Sequence, residues 1–129
     1  MKLFMIAFSC MFAIFFFMHE FDAAYLGEWR MMGFLSGLKE RTRYLIFLYV
    51  HIPFCMILFY YLWSVSKNIN LPFLVLINSL GILHLLVHLA ANTWKTNVFT
   101  MFTSFLFIWG IAITGVINLL LLVYSCIRG

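Results

Sequence analysis

The sequence predicts an all-α integral membrane protein, a four-helix bundle whose helices cross the membrane in antiparallel, up-down order. Two observations support this prediction: the composition and the spacing of the apolar segments. Of the 129 residues, 66% are hydrophobic and only 9% are charged, with a mean hydropathy of +1.08. A soluble domain carries about 25% charged residues, so the composition excludes a water-soluble globule, a disordered chain and a disulfide-rich scaffold. The length allows a single domain, residues 1–129.

Four long apolar segments are separated by polar connections. A membrane-spanning helix needs ~20 mainly apolar residues, and four segments satisfy this requirement. The last two connections are only a few residues long, so consecutive helices are expected to be antiparallel neighbours. The predicted spans are residues 3–29, 44–66, 71–94 and 98–127.

The first of these spans includes polar residues. Its uninterrupted apolar run, Leu3 to Met18, would reach only ~24 Å at 1.5 Å per residue, less than the ~30 Å of hydrocarbon. The helix must therefore continue through residues 19–22 to an interfacial end at Trp29 and Arg30. A cleaved signal peptide is the alternative interpretation, but the apolar run is followed by an acidic sequence and not by a small-residue cleavage site.

The few basic residues mark the connections and the chain ends. Five lie on the face of the first and third connections and three on the opposite face, so the positive-inside rule places both termini outside. Such sparse charge offers no nucleic-acid surface. The expected partners are membrane lipids, together with a second copy in a homodimer or the subunits of a larger membrane complex.

All four histidines and most of the acidic residues fall in or beside the predicted spans, where ionisable side chains are costly. Counted from the face of the first and third connections, six of them lie roughly 9–15 Å deep at helical rise. They therefore share one layer of one leaflet. The members of this layer are His19, Glu20, Asp22, His51, His84 and His88.

Two other polar residues flank this layer. Glu28 lies at the interface and is expected to pair with Arg30 or with basic residues of the first connection. Asn118 lies on the fourth span in a stripe with Gly110 and Thr114, and such small or polar residues suit close helix packing.

The pattern His84-x-x-x-His88 predicts a metal site. An α-helix stacks residues four apart on one face, so the two imidazoles can share one ion. His19 or His51 would supply a third ligand. Zinc in catalytic sites typically keeps three protein ligands and one open position, so zinc is a candidate ion.

The acidic residues of the layer suggest two roles. Glu20 or Asp22 would act as general base or would orient a ligand imidazole. If the carboxylates bind the ion directly, the mixed set suits non-haem iron or manganese better. A buried hydrogen-bond network is the alternative, but such bonds contribute about 0.6 kcal/mol in membranes. An ionised Asp there costs ~2.5–3.5 kcal/mol, which favours a metal or proton-handling site.

Three short motifs resemble the signature of a family of small bacterial integral membrane proteins whose activity is unknown. They are HEFDAA at 19–24, EWR at 28–30 and HIP at 51–53. The resemblance covers roughly the first half of the chain. It implies four spans, a location in the bacterial inner (cytoplasmic) membrane, and shared importance for five residues: His19, Glu20, Asp22, Glu28 and His51.

A looser likeness, limited to site chemistry, is to the alkaline ceramidase and adiponectin-receptor superfamily of membrane hydrolases. Those proteins bind zinc through one histidine on an early helix and an HxxxH pair on a late one, with an acid nearby. They have seven spans and a serine before the early histidine, where this chain has four predicted spans and Phe15. The residues similar to that pattern are His19, Asp22, His84 and His88.

These observations favour a membrane-embedded metal-dependent enzyme, a hydrolase acting on a lipid-like substrate near one leaflet. Three other hypotheses remain open. One is a structural or accessory subunit without catalysis, and another is a small proton-coupled transporter that depends on Glu20. The third is bis-histidine haem binding, for example between His51 and His84.

Overall fold

Four long helices make up most of the protein. The computed structural model describes residues 2–67, 70–91, 98 and 101–128, and over this part of the chain it contains no strand. Each helix is long and apolar enough to cross a membrane, so the predicted all-α membrane bundle is confirmed. Residues 92–94 of the third predicted span and 99–100 of the fourth lie outside the described residues. The helices are α1 (Lys2–Leu26), α2 (Glu40–Lys67), α3 (Leu71–Ala91) and α4 (Phe102–Arg128).

The helices form a closed ring in chain order, and each is antiparallel to the next. α4 packs extensively along both α1 and α3, whereas α2 packs more loosely against α1 and α3. Hydrogen bonds at both ends of α1 fix its direction against α4. Asp22 pairs with Ser104 near the start of α4, and Met5 with Ser125 near its end. The loose contact of α2 with α3 leaves a groove between these two helices.

The first helix ends at a glycine. α1 runs through polar residues 19–22, as predicted, but stops three residues before the predicted end of the first span. Gly27 adopts φ +80°, a left-handed conformation that favours glycine, and its amide donates to the carbonyl of Ala23 at 3.0 Å. The chain then makes two short 3-10 turns, Glu28–Arg30 and Gly33–Leu35. These turns pack back on the bundle through three buried side chains, Trp29, Met31 and Leu35.

Glycines allow phenylalanine rings of α1 to pack directly on the backbones of α3 and α4. A Cβ added to Gly81 of α3 would lie 2.5 Å from the ring of Phe12, and one on Gly110 of α4 would lie 2.7 Å from the ring of Phe15. Any larger side chain at either position would displace a phenylalanine ring. The small residues thus set the distance between these helices, as in other membrane bundles.

One polar side chain from each helix joins a buried hydrogen-bonded group, which we call the hydroxyl–amide cluster: Ser9, Tyr61, Asn78 and Asn118. The Tyr61 hydroxyl lies 3.0 Å from Ser9 Oγ and 3.1 Å from Asn78 Oδ1. The Asn118 amide donates to Tyr61 Oη at 3.1 Å and to Asn78 Oδ1 at 3.2 Å. Because hydrocarbon supplies no alternative partners, the cluster fixes the register of all four helices.

Replacing Tyr61 with Phe should destabilise the bundle by about 1 kcal/mol, because the other members of the cluster lose their shared hydroxyl. Unfolding of the purified protein in detergent micelles measures this change. Tyr60→Phe is the matched control, since Tyr60 is exposed and accepts one long hydrogen bond of 3.4 Å. The control should stay within about 0.5 kcal/mol of wild type. Equal destabilisation by the two changes would contradict the role assigned to the cluster.

Candidate metal centre

Three histidines from α1 and α3 converge in the half of the bundle nearest the first connection. One ring nitrogen from each of His19, His84 and His88 lies within 4.8 Å of the others. The ring centroids are 4.7 Å apart for His19 and His84, 5.0 Å for His19 and His88, and 4.5 Å for His84 and His88. We call these three residues the histidine triad. His19 and not His51 is therefore the residue that the structure brings to the HxxxH pair.

The backbone explains this convergence. α3 stacks His84 and His88 one turn apart on the same face, about one turn beyond Gly81. The close approach of Phe12 to Gly81 brings α1 against this face. His19, two turns further along α1, is then fully buried against the two imidazoles of α3.

The donor set of the triad fits a transition-metal ion. Imidazole nitrogens bind zinc at about 2.0–2.1 Å in tetrahedral geometry, which places ligand nitrogens roughly 3.3 Å apart. The separations of up to 4.8 Å in the triad require small side-chain rotations to reach that value. In addition, Nε2 of His84 is buried and has no hydrogen-bond partner among the described residues. A buried nitrogen without a hydrogen-bond partner destabilises the fold unless it binds a proton donor or a metal ion.

His51 pairs with an acid instead of joining the triad. Its Nε2 lies 2.5 Å from Oε2 of Glu20, and its Nδ1 lies 2.5 Å from the carbonyl oxygen of Phe47. A carbonyl oxygen only accepts hydrogen bonds, so Nδ1 carries a proton. A hydrogen bond between Nε2 and the Glu20 carboxylate requires one further proton. Glu20 and His51 thus form a separate pair that joins α1 to α2.

Asp22 faces α4. Its Oδ2 accepts a hydrogen bond from the hydroxyl of Ser104 at 2.5 Å. Sequence reasoning did not identify Ser104, which lies 82 residues away in the chain, and no local motif signals such a contact. Asp22 therefore links α1 to α4 and is already engaged in this contact, whereas the sequence suggested that it would act on a proton or a ligand imidazole.

Glu28 lies in the first connection, just beyond the end of α1. Arg30, one of the basic residues expected to pair with it, binds Glu40, with a distance of 2.8 Å from its Nε to Oε1. The turn at Gly27 redirects the chain, and Arg43 holds it by donating to the carbonyl of Trp29 at 2.9 Å. Glu28 itself lines a cavity with two histidines of the triad.

Two cavities flank His84. One, of about 490 Å³, lies beneath the first connection, and we call it the interfacial cavity; its walls include Glu28, Met31, Met32, Phe34, His84 and His88. The other, of about 360 Å³, lies between α2 and α3, and we call it the lateral groove; its walls include Phe16, Glu20, His51, Leu83, His84 and Val87. Both cavities therefore reach the same imidazole.

Glu28 lies beyond the end of α1, outside the membrane-spanning helices. Burial, and to a smaller extent the nearby Glu20, raise the pKa of its carboxyl group to about 7, although His51 opposes the rise. An acid whose pKa is raised on folding favours the folded state while it stays protonated. The stability that it contributes falls as pH rises from its ordinary value of 4.5 to about 7, and is lost above that value.

The melting temperature of the chelator-treated protein in detergent should therefore fall between about pH 4.5 and 7. Glu28→Gln should remove that part of the fall, because the amide has no proton to lose. Glu40→Gln is the control, since its side chain is exposed in the ion pair with Arg30 and the pH dependence should persist. An unchanged pH dependence in the Glu28 variant would contradict a raised pKa.

Comparisons with known proteins identify a family without assigning an activity. No curated protein and no solved structure matches the chain. The likeness to the ceramidase and adiponectin-receptor superfamily therefore gains no support from them. One family model, described as a family of unknown function (DUF6713), matches residues 4–125 and so includes parts of all four helices. The predicted membership of a family without known activity is confirmed at that level: the chain belongs to the DUF6713 family of unknown function.

Proposed function

We propose that this protein is an integral membrane metalloprotein whose His19, His84 and His88 bind one transition-metal ion. The convergence of the three imidazoles carries this proposal. His19 is fully buried and His88 is 8% exposed, and ionisable side chains inside membrane spans are rare and mark functional sites. A set of three imidazoles suits zinc, whereas non-haem iron and manganese favour sets that include carboxylates.

The proposed activity is hydrolysis of a lipid-like substrate in one leaflet. Three protein ligands leave a coordination position open, and the bound ion would polarise water or a substrate carbonyl there. Glu28 shares the interfacial cavity with His84 and His88, so its carboxylate is the group placed to take a proton from the attacking water. Glu20 and Asp22, which the sequence suggested for this task, are engaged by His51 and Ser104.

Proton-coupled transport through Glu20 is the second candidate function. One observation favours it: the Glu20–His51 pair lines the lateral groove, where it can be reached from the lipid. Such a transporter does not need the triad. Transport that survives His84→Ala and His88→Ala together, but not Glu20→Gln, would favour this function over the metal enzyme.

Protein purified gently in detergent should contain about one equivalent of zinc per chain, because all three ligands are present in the folded bundle. His84→Ala should weaken zinc binding by at least about 100-fold, since loss of a ligand exceeds the 10–100-fold effect of outer-shell changes. His51→Ala is the matched control, because that histidine lies in the same layer but outside the triad. Metal analysis and competition with a chromophoric chelator measure both. Fewer than about 0.2 equivalents of any transition metal in the wild type would refute the proposal.

Glu28→Gln should reduce hydrolysis of a fluorogenic fatty acyl ester by about 10²–10⁴-fold, the usual contribution of a general base. Zinc content should stay near that of the wild type, because Glu28 lies outside the triad. Glu40→Gln, which removes an exposed acid of the same connection, should retain activity. Full activity in the Glu28 variant would exclude this residue as the base.

A further inference from the structure

The two cavities that flank His84 lie at different depths. The interfacial cavity lies under the two 3-10 turns of the first connection, Glu28–Arg30 and Gly33–Leu35. Ala91, at the end of α3, also lines this cavity. The lateral groove reaches Phe16 of α1, ten residues before that helix ends at Leu26. It also reaches Leu80 of α3, eleven residues before that helix ends at Ala91. At 1.5 Å per residue this difference is roughly 15 Å. The cavities therefore follow α3 from the membrane surface inward, and both include His84 and Val87.

The chemistry of the walls changes along this path. The lateral groove is mostly apolar, and Leu80, Leu83 and Val87 in its wall are 46, 51 and 52% exposed. Its polar side chains, those of the Glu20–His51 pair and His84, belong to the histidine layer. The interfacial cavity adds the carboxyl group of Glu28 and the imidazole of His88. A ligand that fills both cavities must be polar at the surface end and apolar below it.

The size of the groove limits the apolar part of such a ligand. Its volume of about 360 Å³ lies at the lower end of the roughly 300–1,000 Å³ range of small-molecule pockets. That space accommodates one hydrocarbon chain and not the paired chains of a bilayer lipid. The groove opens sideways between α2 and α3, so a chain can enter from the leaflet itself.

We propose that the substrate is a single-chain fatty acyl ester or amide, held along α3 with its acyl chain in the lateral groove and its polar group in the interfacial cavity. This inference rests on the proposed metal site for its chemistry. The acyl carbonyl would lie at the junction beside His84. Water adds to the carbonyl carbon and its proton passes to Glu28. The bond from that carbon to oxygen or nitrogen then breaks, the proton goes to the departing group, and a fatty acid and an alcohol or amine are released.

A photoreactive fatty acid with a diazirine in its chain, a product analogue, tests the binding mode in detergent micelles. In the wild type the label should map to α2 and α3 residues of the lateral groove. Leu83→Trp should reduce labelling by at least about tenfold, which corresponds to about 1.4 kcal/mol, because the larger ring fills the groove. Leu86→Trp is the matched control: Leu86 is 55% exposed, much like Leu83, but it does not line the groove, and labelling should stay within about twofold.

Zinc content, measured on the same samples, distinguishes a failure of this inference from a failure of the proposed function. Equal labelling of the two tryptophan variants, or a label that maps to the outer face of α4, overturns the inference. If zinc is present at about one equivalent in those samples, the metal site survives that result. A wild type without metal refutes the proposed function, whatever the labelling shows. Val87→Trp, at the junction of the two cavities, provides a second blocking variant if Leu83→Trp does not fold.

Discussion

In the hydrocarbon of a bilayer, each buried polar group has to find its partner within the protein, and the arrangement of this bundle follows from that constraint. The polar side chains are collected into two groups at different depths. In one half, the hydroxyl–amide cluster joins all four helices through neutral hydrogen bonds. In the other half, the histidine layer combines imidazoles with carboxylates. Neutral hydrogen bonds account for the first group, whereas the second contains groups whose natural partners are protons and metal ions.

The acidic residues are separated from one another in the structure. Each of the four acids faces a different environment: Glu20 meets His51, Asp22 meets Ser104, Glu40 meets Arg30, and Glu28 lines a cavity. Three of them come from one short stretch of chain and would repel each other if they faced the same way. The helical rotation between residues and the turn at Gly27 point them at different helices. Glu28 is thereby the acid that shares the interfacial cavity with His84 and His88.

Much of the fold was predictable from the sequence because it depends on the composition and on the length of the apolar segments, which are averages over many residues. Composition and segment length determine that the chain crosses the membrane four times, and the spacing of His84 and His88 places both on one face of α3. Counting residues predicted that the histidines share one layer of the bundle, and His19, His84 and His88 do lie together. The third member of the triad could not be identified from the sequence, because His19 and His51 are predicted to lie in the same layer. The choice depends on how α1 is rotated: neighbouring residues point about 100° apart, so His19 faces α3 while Glu20 faces α2. The close contact of Phe12 with Gly81, far apart in the chain, selects that rotation.

The hydroxyl–amide cluster has a consequence for the opposite half of the bundle. Since that cluster already holds the register of all four helices, the topology does not depend on the contacts around His84. The loosely packed α2 is tied to its neighbours at Tyr61 in one half. In the other half it is tied by the Glu20–His51 pair and by the hydrogen bond from Arg43 to the carbonyl of Trp29. The hydroxyl–amide cluster and the candidate metal site therefore lie in different halves of the bundle. A guest molecule beside His84 would therefore meet side chains in a half of the bundle whose four helices are already joined elsewhere by the hydroxyl–amide cluster.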